Sequence, residues 1–243
     1  YRAIRAGNSM LDACLNPELA AEITCQPVRR HDVDAAIFFS DIVVPLRLAG
    51  VAVDIVAGVG PVLERPIRNR AQVAALPELD PDRLAPVREG VGLAVSQLAV
   101  PLIGFAGAPF TLASYLVEGR PNRELPATRH LLATDPDTWH ALLAWVAGLT
   151  TAFLRAQAQA GASALQLFDS WAGRLTPDEY AEAVAPHSAS VFAGVADLGL
   201  PRIHFGTATR ELLVPMRATG ADVMGVAADI GLDEANSRLQ GRT

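Results

Sequence analysis

Five short apolar runs constrain this chain more than any other feature: residues 35–39, 102–105, 164–168, 202–205 and 222–226. Stretches of amphipathic-helix pattern separate them. Short strands alternating with helices imply right-handed βαβ crossovers and a parallel sheet. Two of the runs end on polar groups, in Phe39-Ser40-Asp41 and in Phe168-Asp169-Ser170-Trp171-Ala172-Gly173. In a barrel of alternating strands and helices, the C-terminal strand ends are where catalytic groups collect. A doubly wound sheet fits the strand count, but polar groups recurring at strand ends favour an α/β fold of the (β/α)8 TIM-barrel kind. Five strands are only part of such a barrel. Residues 1–243 are expected to form a single barrel domain, since no repeat, low-complexity tract or linker divides them.

Local signals place the helices. Asn16-Pro17-Glu18 reads as an N-cap, a first-turn proline and an acidic residue, opening a helix towards Arg30 with a kink at Pro27. Asp80-Pro81 opens a helix to about Ala99, and Gly107-Ala108-Pro109 turns into a short helix stopped by Gly119. An Arg- and Pro-rich loop follows, then a long helix from Asp135-Pro136 to Gly161. Thr176 and Glu179 have capping-box spacing at the head of a helix ending near Gly199, and another helix spans 209–218. The glycine-punctuated segment from Gly50 to Pro61 suits an excursion of short strands.

Composition excludes several chemistries. All 20 basic residues are arginine. Without a lysine amine there is no Schiff-base aldolase, no pyridoxal-phosphate enzyme and no P-loop. A net charge of −6 argues against a nucleic-acid partner, and any acidic substrate would have to be held by local arginines. Apolar residues reach 51%, enough for a sizeable core, yet no run approaches the roughly 20 residues of a membrane span. No basic-then-apolar leader follows Tyr1, so a soluble, cytoplasmic protein without a membrane partner is expected. Cys14 and Cys25, in a helical stretch, are expected to be buried reduced thiols. His31, His130, His140 and His187 lack metal-ligand spacing, and there is neither a His-x-Cys element nor a Gly-x-Ser-x-Gly motif.

The strand-end residues each admit two readings. Asp41 either caps the next segment or stands as an anion at a barrel mouth. Of Asp169 and Ser170, one can cap the turn while the other points at a ligand. The small residues of Gly104-Phe105-Ala106-Gly107-Ala108-Pro109 would let a flat ligand approach the backbone closely. Tyr115 and His204, read alone, are interior side chains.

Taken together, several stretches resemble the uroporphyrinogen decarboxylase family of the haem pathway. They are Asn16 to Glu22, Gln26 to Arg30, Phe39-Ser40-Asp41-Ile42, Gly107 to Leu112, Tyr115 to Gly119 and Phe168 to Gly173. The resemblance implies a homodimeric (β/α)8 barrel that removes carbon dioxide from the acetate arms of uroporphyrinogen, giving coproporphyrinogen, with no metal or organic cofactor. It assigns Asp41 to the pyrrole N–H groups, Tyr115 and Ser170 to substrate carboxylates or to support of Asp41, and residues 106–110 to the cleft. It also implies two substrate-binding arginines ahead of Tyr1 and a cleft histidine beyond Thr243. The chain is therefore expected to be incomplete at both ends of the barrel, and to turn over little substrate if it is the whole polypeptide. Two departures stand out. A His-Phe-Gly-x-Gly-Thr segment is expected where Ala208 replaces the second glycine, and Ala227-Ala228 replaces an Asp-Trp pair. A tetrapyrrole-binding pseudoenzyme and a corrinoid- or thiol-dependent methyltransferase are the alternative readings.

Overall fold

A computed structural model describes residues 4–5 and 7–240. Helix α1 (Met10–Leu15) begins where Ser9 accepts the Asp12 amide, and α2 (Pro17–His31) where Asn16 accepts that of Leu19. Cys14 and Cys25 thus belong to two helices, because Pro17 lacks the N–H that would continue α1. Both thiols are free and buried. Burial first, and then the charge of Asp41, pushes the Cys14 thiol up to about 12.

Strand β1 (Ala36–Ile37) is followed by α3 (Val44–Ala49) and an antiparallel hairpin of β2 (Val53–Val56) and β3 (Gly60–Leu63). This hairpin is the excursion expected between Gly50 and Pro61. Helices α4 (Arg70–Ala74) and α5 (Ala85–Gln97) lead to β4 (Leu102–Gly107). The helix expected from Asp80 starts as a 3-10 turn over Pro81–Leu84. Next come α6 (Pro109–Glu118), α7 (Pro126–Thr134), α8 (Pro136–Gln159) and β5 (Ala164–Asp169). Helix α7 occupies part of what the sequence suggests is a loop. Its prolines misled, since Pro126 serves as a first-turn residue.

The helix expected from Thr176 to Gly199 is broken into α9 (Pro177–Ala183), α10 (Ala185–Ala193) and a 3-10 turn over Ala196–Leu198. Pro186 cannot donate back into α9, so the chain restarts at Val184. The Thr176–Glu179 capping box is present as read. Strand β6 (Arg202–Gly206), α11 (Leu213–Ala218), β7 (Val223–Gly225) and α12 (Leu232–Arg238) complete the described chain.

The five strands β1, β4, β5, β6 and β7 pair in that order, all in parallel, among the described residues. Strand order therefore equals chain order, as successive βα units of a barrel require. Along β5, burial alternates with period two: Leu165, Leu167 and Asp169 are buried, while Ala164, Gln166 and Phe168 are half-buried. Helix α8 has the length and hydropathy of a membrane span, but it packs inside the chain, with Trp139, Leu142, Leu143, Val146 and Phe153 fully buried. Each such side chain contributes about 1.5–3 kcal/mol by leaving water.

One buried side chain holds the rim of the sheet. The β1 chain pairs with β4 only as far as Ile103, where the Phe38 amide donates to the Ile103 carbonyl. Two residues on, Gln157 of α8 takes over, accepting from the Phe105 amide at 2.9 Å and donating to its carbonyl at 2.8 Å. Left unmet and buried, these groups would cost about 1–3 kcal/mol each.

Candidate active site

The site lies where the strands end. Phe105, Phe168 and Phe205, from β4, β5 and β6, stack edge to face with ring centroids 5.2 and 5.6 Å apart. This favoured aromatic geometry makes a rigid apolar wall. Phe105 and Phe168, with Ile37, Ser40, Asp41, Ile42 and Ser170, line a recess of about 230 Å³.

Asp41 both caps the next segment and lines the recess. Its Oδ1 accepts the Val43 amide at 3.0 Å, organising the turn before α3. Its other oxygen has no hydrogen-bond partner among the described residues, and the side chain lines the recess. Burial raises the Asp41 pKa above the ordinary carboxylate range, partly offset by the Val43 hydrogen bond. A half-desolvated anion with one free oxygen interacts strongly with any cation or N–H brought to it. Beside it, the Ser40 hydroxyl is buried without a hydrogen-bond partner among the described residues. The segment is held from behind by Thr24, whose hydroxyl accepts the Phe39 amide at 2.8 Å.

A second cleft of about 370 Å³ adjoins the recess at Ser170, and is lined by Tyr115, Arg123, Ser170, Trp171, Gly173, Arg174, Thr207 and Ala208. Tyr115 is therefore at the mouth and not in the interior, its ring edge-on to Trp171 with centroids 5.9 Å apart. Burial raises the Tyr115 phenol pKa, Trp171 moderates the rise, and the Asp41 charge adds to it. Gly173 has no alternative: a Cβ there would meet the Thr207 and Ala208 carbonyl oxygens at 2.3 and 2.5 Å. The loops after β5 and β6 interlock at that point.

Asp169 turns the other way, away from the recess that Ser170 lines, and its side chain accepts no amide of the following turn among the described residues. Fully buried, it faces the helix layer, where Oδ1 accepts the Thr111 hydroxyl at 2.8 Å. The Thr111 oxygen in turn accepts the Trp171 amide at 3.2 Å. Asp169 Oδ2 lies 3.7 Å from His204 Nε2, and neither atom has a hydrogen-bond partner among the described residues. His204 is interior as expected, its Nδ1 3.4 Å from the Thr219 hydroxyl. Ser40, Thr111 and Trp171 lie in the motif stretches without being singled out there, and Arg123 and Arg174 carry no distinguishing pattern in the sequence; only placement marks these five. Among the described residues, no group of three or more His, Cys, Asp or Glu side chains is arranged to hold a metal ion.

With this geometry in place, similarity to known proteins is decisive. The uroporphyrinogen decarboxylase (URO-D) family pattern matches residues 1–243. The chain belongs to the uroporphyrinogen decarboxylase family. A uroporphyrinogen decarboxylase of Arthrobacter sp. (strain FB24) is 61% identical over 242 residues, covering 99% of this chain and 70% of that protein. That of Nocardia farcinica is 58% identical over 240 residues, covering 98% and 68%. The chain thus spans somewhat over two thirds of the length of these family members. A solved structure of a methyltransferase from Methanosarcina mazei superposes with a TM-score of 0.81 over 99% of this chain and 72% of its own, at 17% identity. That likeness concerns the fold alone. The family and the parallel sheet in chain order agree with the (β/α)8 barrel class expected from the sequence.

Proposed function

We propose that this chain carries out the decarboxylation of uroporphyrinogen, removing carbon dioxide from the acetate side chains to give coproporphyrinogen. It is a carboxy-lyase reaction of haem and porphyrin biosynthesis. The observation that carries this reading is Asp41: a half-desolvated carboxylate with one oxygen unpaired among the described residues, beside an aromatic wall, in a chain 61% identical to a uroporphyrinogen decarboxylase.

The chemistry suits such a site. Protonating an electron-rich pyrrole gives a cationic ring, and the C–C bond electrons released with carbon dioxide flow into that cation. Protonation of the resulting exocyclic methylene carbon leaves a methyl group, and loss of the proton first added to the ring restores the neutral pyrrole. The substrate acts as its own electron sink, so the protein's task is to hold the ring and stabilise the cation. In this reading Asp41 accepts hydrogen bonds from the pyrrole N–H groups and faces the developing charge. Its poor solvation strengthens that interaction. The Phe105–Phe168–Phe205 wall covers one apolar edge of the macrocycle. Tyr115 and Ser170 contact side-chain carboxylates or support Asp41 from the adjoining cleft. The protein is further proposed to act in the cytoplasm as a homodimer; a light-scattering mass of one chain would overturn the dimer.

Anaerobic incubation with uroporphyrinogen, followed by oxidation and chromatography, tests the function. The expected result is stepwise loss of carboxylates towards coproporphyrin, abolished in Asp41→Asn. Undiminished product from a folded Asp41→Asn variant would overturn the role of Asp41. No product from the folded wild type would overturn the assignment of this activity to the chain.

A further inference from the structure

The geometry points to a built subsite for the peripheral carboxylates of the ligand, formed by Arg123 and Arg174 on the rim of the cleft that adjoins Asp41. This assignment rests on the decarboxylase reading and adds to it where the acidic periphery of the macrocycle sits. Three observations carry it.

The first is charge. With a net charge of −6, the protein offers no long-range attraction to a polyanion, so local cations have to supply it. Both arginines line the cleft that also holds Tyr115, Ser170 and Trp171.

The second is that their guanidinium groups are uncommitted while their backbones are fixed. Neither side chain has a hydrogen bond or ion pair among the described residues, whereas Arg29, Arg129, Arg155, Arg202, Arg210 and Arg238 all pair with carboxylates. Arg129 donates to the Arg174 carbonyl and also pairs with Glu179 at 3.4 Å, pinning the Arg174 backbone. The loop bearing Arg123 is tied by the Leu125 amide to the Asn122 carbonyl and by the Asn122 side chain to Glu118. Buried Leu125, at φ +50°, completes the turn. A free planar fork on an anchored backbone is suited to bidentate carboxylate recognition.

The third is the spatial order. Ser170 belongs to both hollows, with Asp41 on one side and the arginines on the other. A macrocycle with its central N–H groups on Asp41 would extend its carboxylate arms across Ser170 to the arginines.

Binding of oxidised uroporphyrin, which carries eight carboxylates, followed by fluorescence, tests the subsite without needing turnover. Deuteroporphyrin, with two, is the low-charge comparison. Arg30→Ala is the charge control: Arg30 lies in the last turn of α2, which leads into the start of β1, at the opposite end of the sheet from the cleft. Arg123→Ala with Arg174→Ala should weaken uroporphyrin binding by about tenfold or more, as expected for loss of charge-assisted pairs. Deuteroporphyrin should lose much less, and Arg30→Ala should change neither. The double Arg→Lys variant should recover part of the loss, since charge returns without the fork. If the double alanine variant binds uroporphyrin as tightly as Arg30→Ala while the wild type decarboxylates uroporphyrinogen, the subsite falls and the enzymatic reading stands. If the wild type neither binds uroporphyrin nor turns over its reduced form, both fall together.

Discussion

The ends of β1 and β5 begin alike and finish differently. Each delivers an aspartate just past a phenylalanine, yet Asp41 lines the recess while Asp169 is sealed among helices. Strand parity explains the difference. Asp169 is the last residue of β5 and shares the helix-facing side with Leu165 and Leu167, so the pleat commits it to the interior. Asp41 lies four residues beyond the end of β1, in a turn where no pleat dictates its direction. At β5 it is the next residue, Ser170, that escapes the pleat and reaches the mouth. An acidic residue at a strand end is thus a site candidate only once its parity is known.

Applying related substitutions at the two ends should break the resemblance between them. The largest effect is expected for Asp41→Asn: about a thousandfold loss of kcat, the scale of removing a group that stabilises transition-state charge. Its stability should move the other way. The folded-state pKa of Asp41 is raised, so its contribution to stability is fully present below the unfolded value of 3.8 and is lost as pH rises through the folded value. At neutral pH the wild type holds a poorly solvated anion that Asn removes, while Asn Oδ1 still accepts from Val43. Thermal melts should show Asp41→Asn at least as stable as wild type at pH 7, with the gap closing in acid; a lower Tm for the variant at pH 7 would contradict this. The acid limb of kcat/KM should lie above the ordinary carboxylate range for the same reason.

Asp169→Ala should do the reverse. Removing it strands the Thr111 hydroxyl in the interior, a loss of about 1–3 kcal/mol in denaturant unfolding. Turnover per folded molecule should stay within about threefold of wild type, because no Asp169 atom lines either hollow. A collapse of kcat at unchanged stability would show that the buried aspartate acts on the mouth through Thr111 and Trp171.

A smaller effect concerns Ala208, where the family resemblance suggests glycine. Its φ is +55°, the left-handed region that costs a residue with a Cβ about 1–2 kcal/mol. Ala208→Gly should therefore stabilise the chain by about 0.5–1 kcal/mol after the greater freedom of unfolded glycine is counted. The smallest effect belongs to the His140–His187 contact, where the ring nitrogens lie 2.9 Å apart. Burial, reinforced by His140, lowers the His187 pKa from 6.5 to about 4. The folded state resists a proton that the unfolded chain accepts, so stability contributed above pH 6.5 is lost as pH falls towards 4. His187→Gln should flatten the Tm profile in that window, modestly, because the pair is half-exposed and screened; an unchanged profile would remove the pair from the acid response.

Much of this was legible in the residues themselves. The sheet runs through β4, β5, β6 and β7 close to where the apolar runs place it, because alternating burial writes a strong local pattern. The Thr176–Glu179 box and the Gly119 stop were equally local. The break at Val184 was harder, since Pro186 reads as tolerable until the neighbouring carbonyls are located. The mouth was only half legible. Asp41, Ser170 and Tyr115 were marked by motif, and the structure brings them to two adjoining hollows. Arg123 and Arg174 had no signal, because an exposed loop arginine is distinguished only by what stands opposite it.

The burial of Cys14 and Cys25 has a practical side. The Cys14 thiol, held at about 12, presents almost no thiolate at neutral pH, burial raises the Cys25 thiol too, and the chain offers no lysine amine to compete for electrophiles. Against that silent background, a single cysteine introduced at Thr207 would take a reporter group alone. Ligand arriving at the cleft would then be read as protection of one engineered atom, with no native side chain to confuse the count.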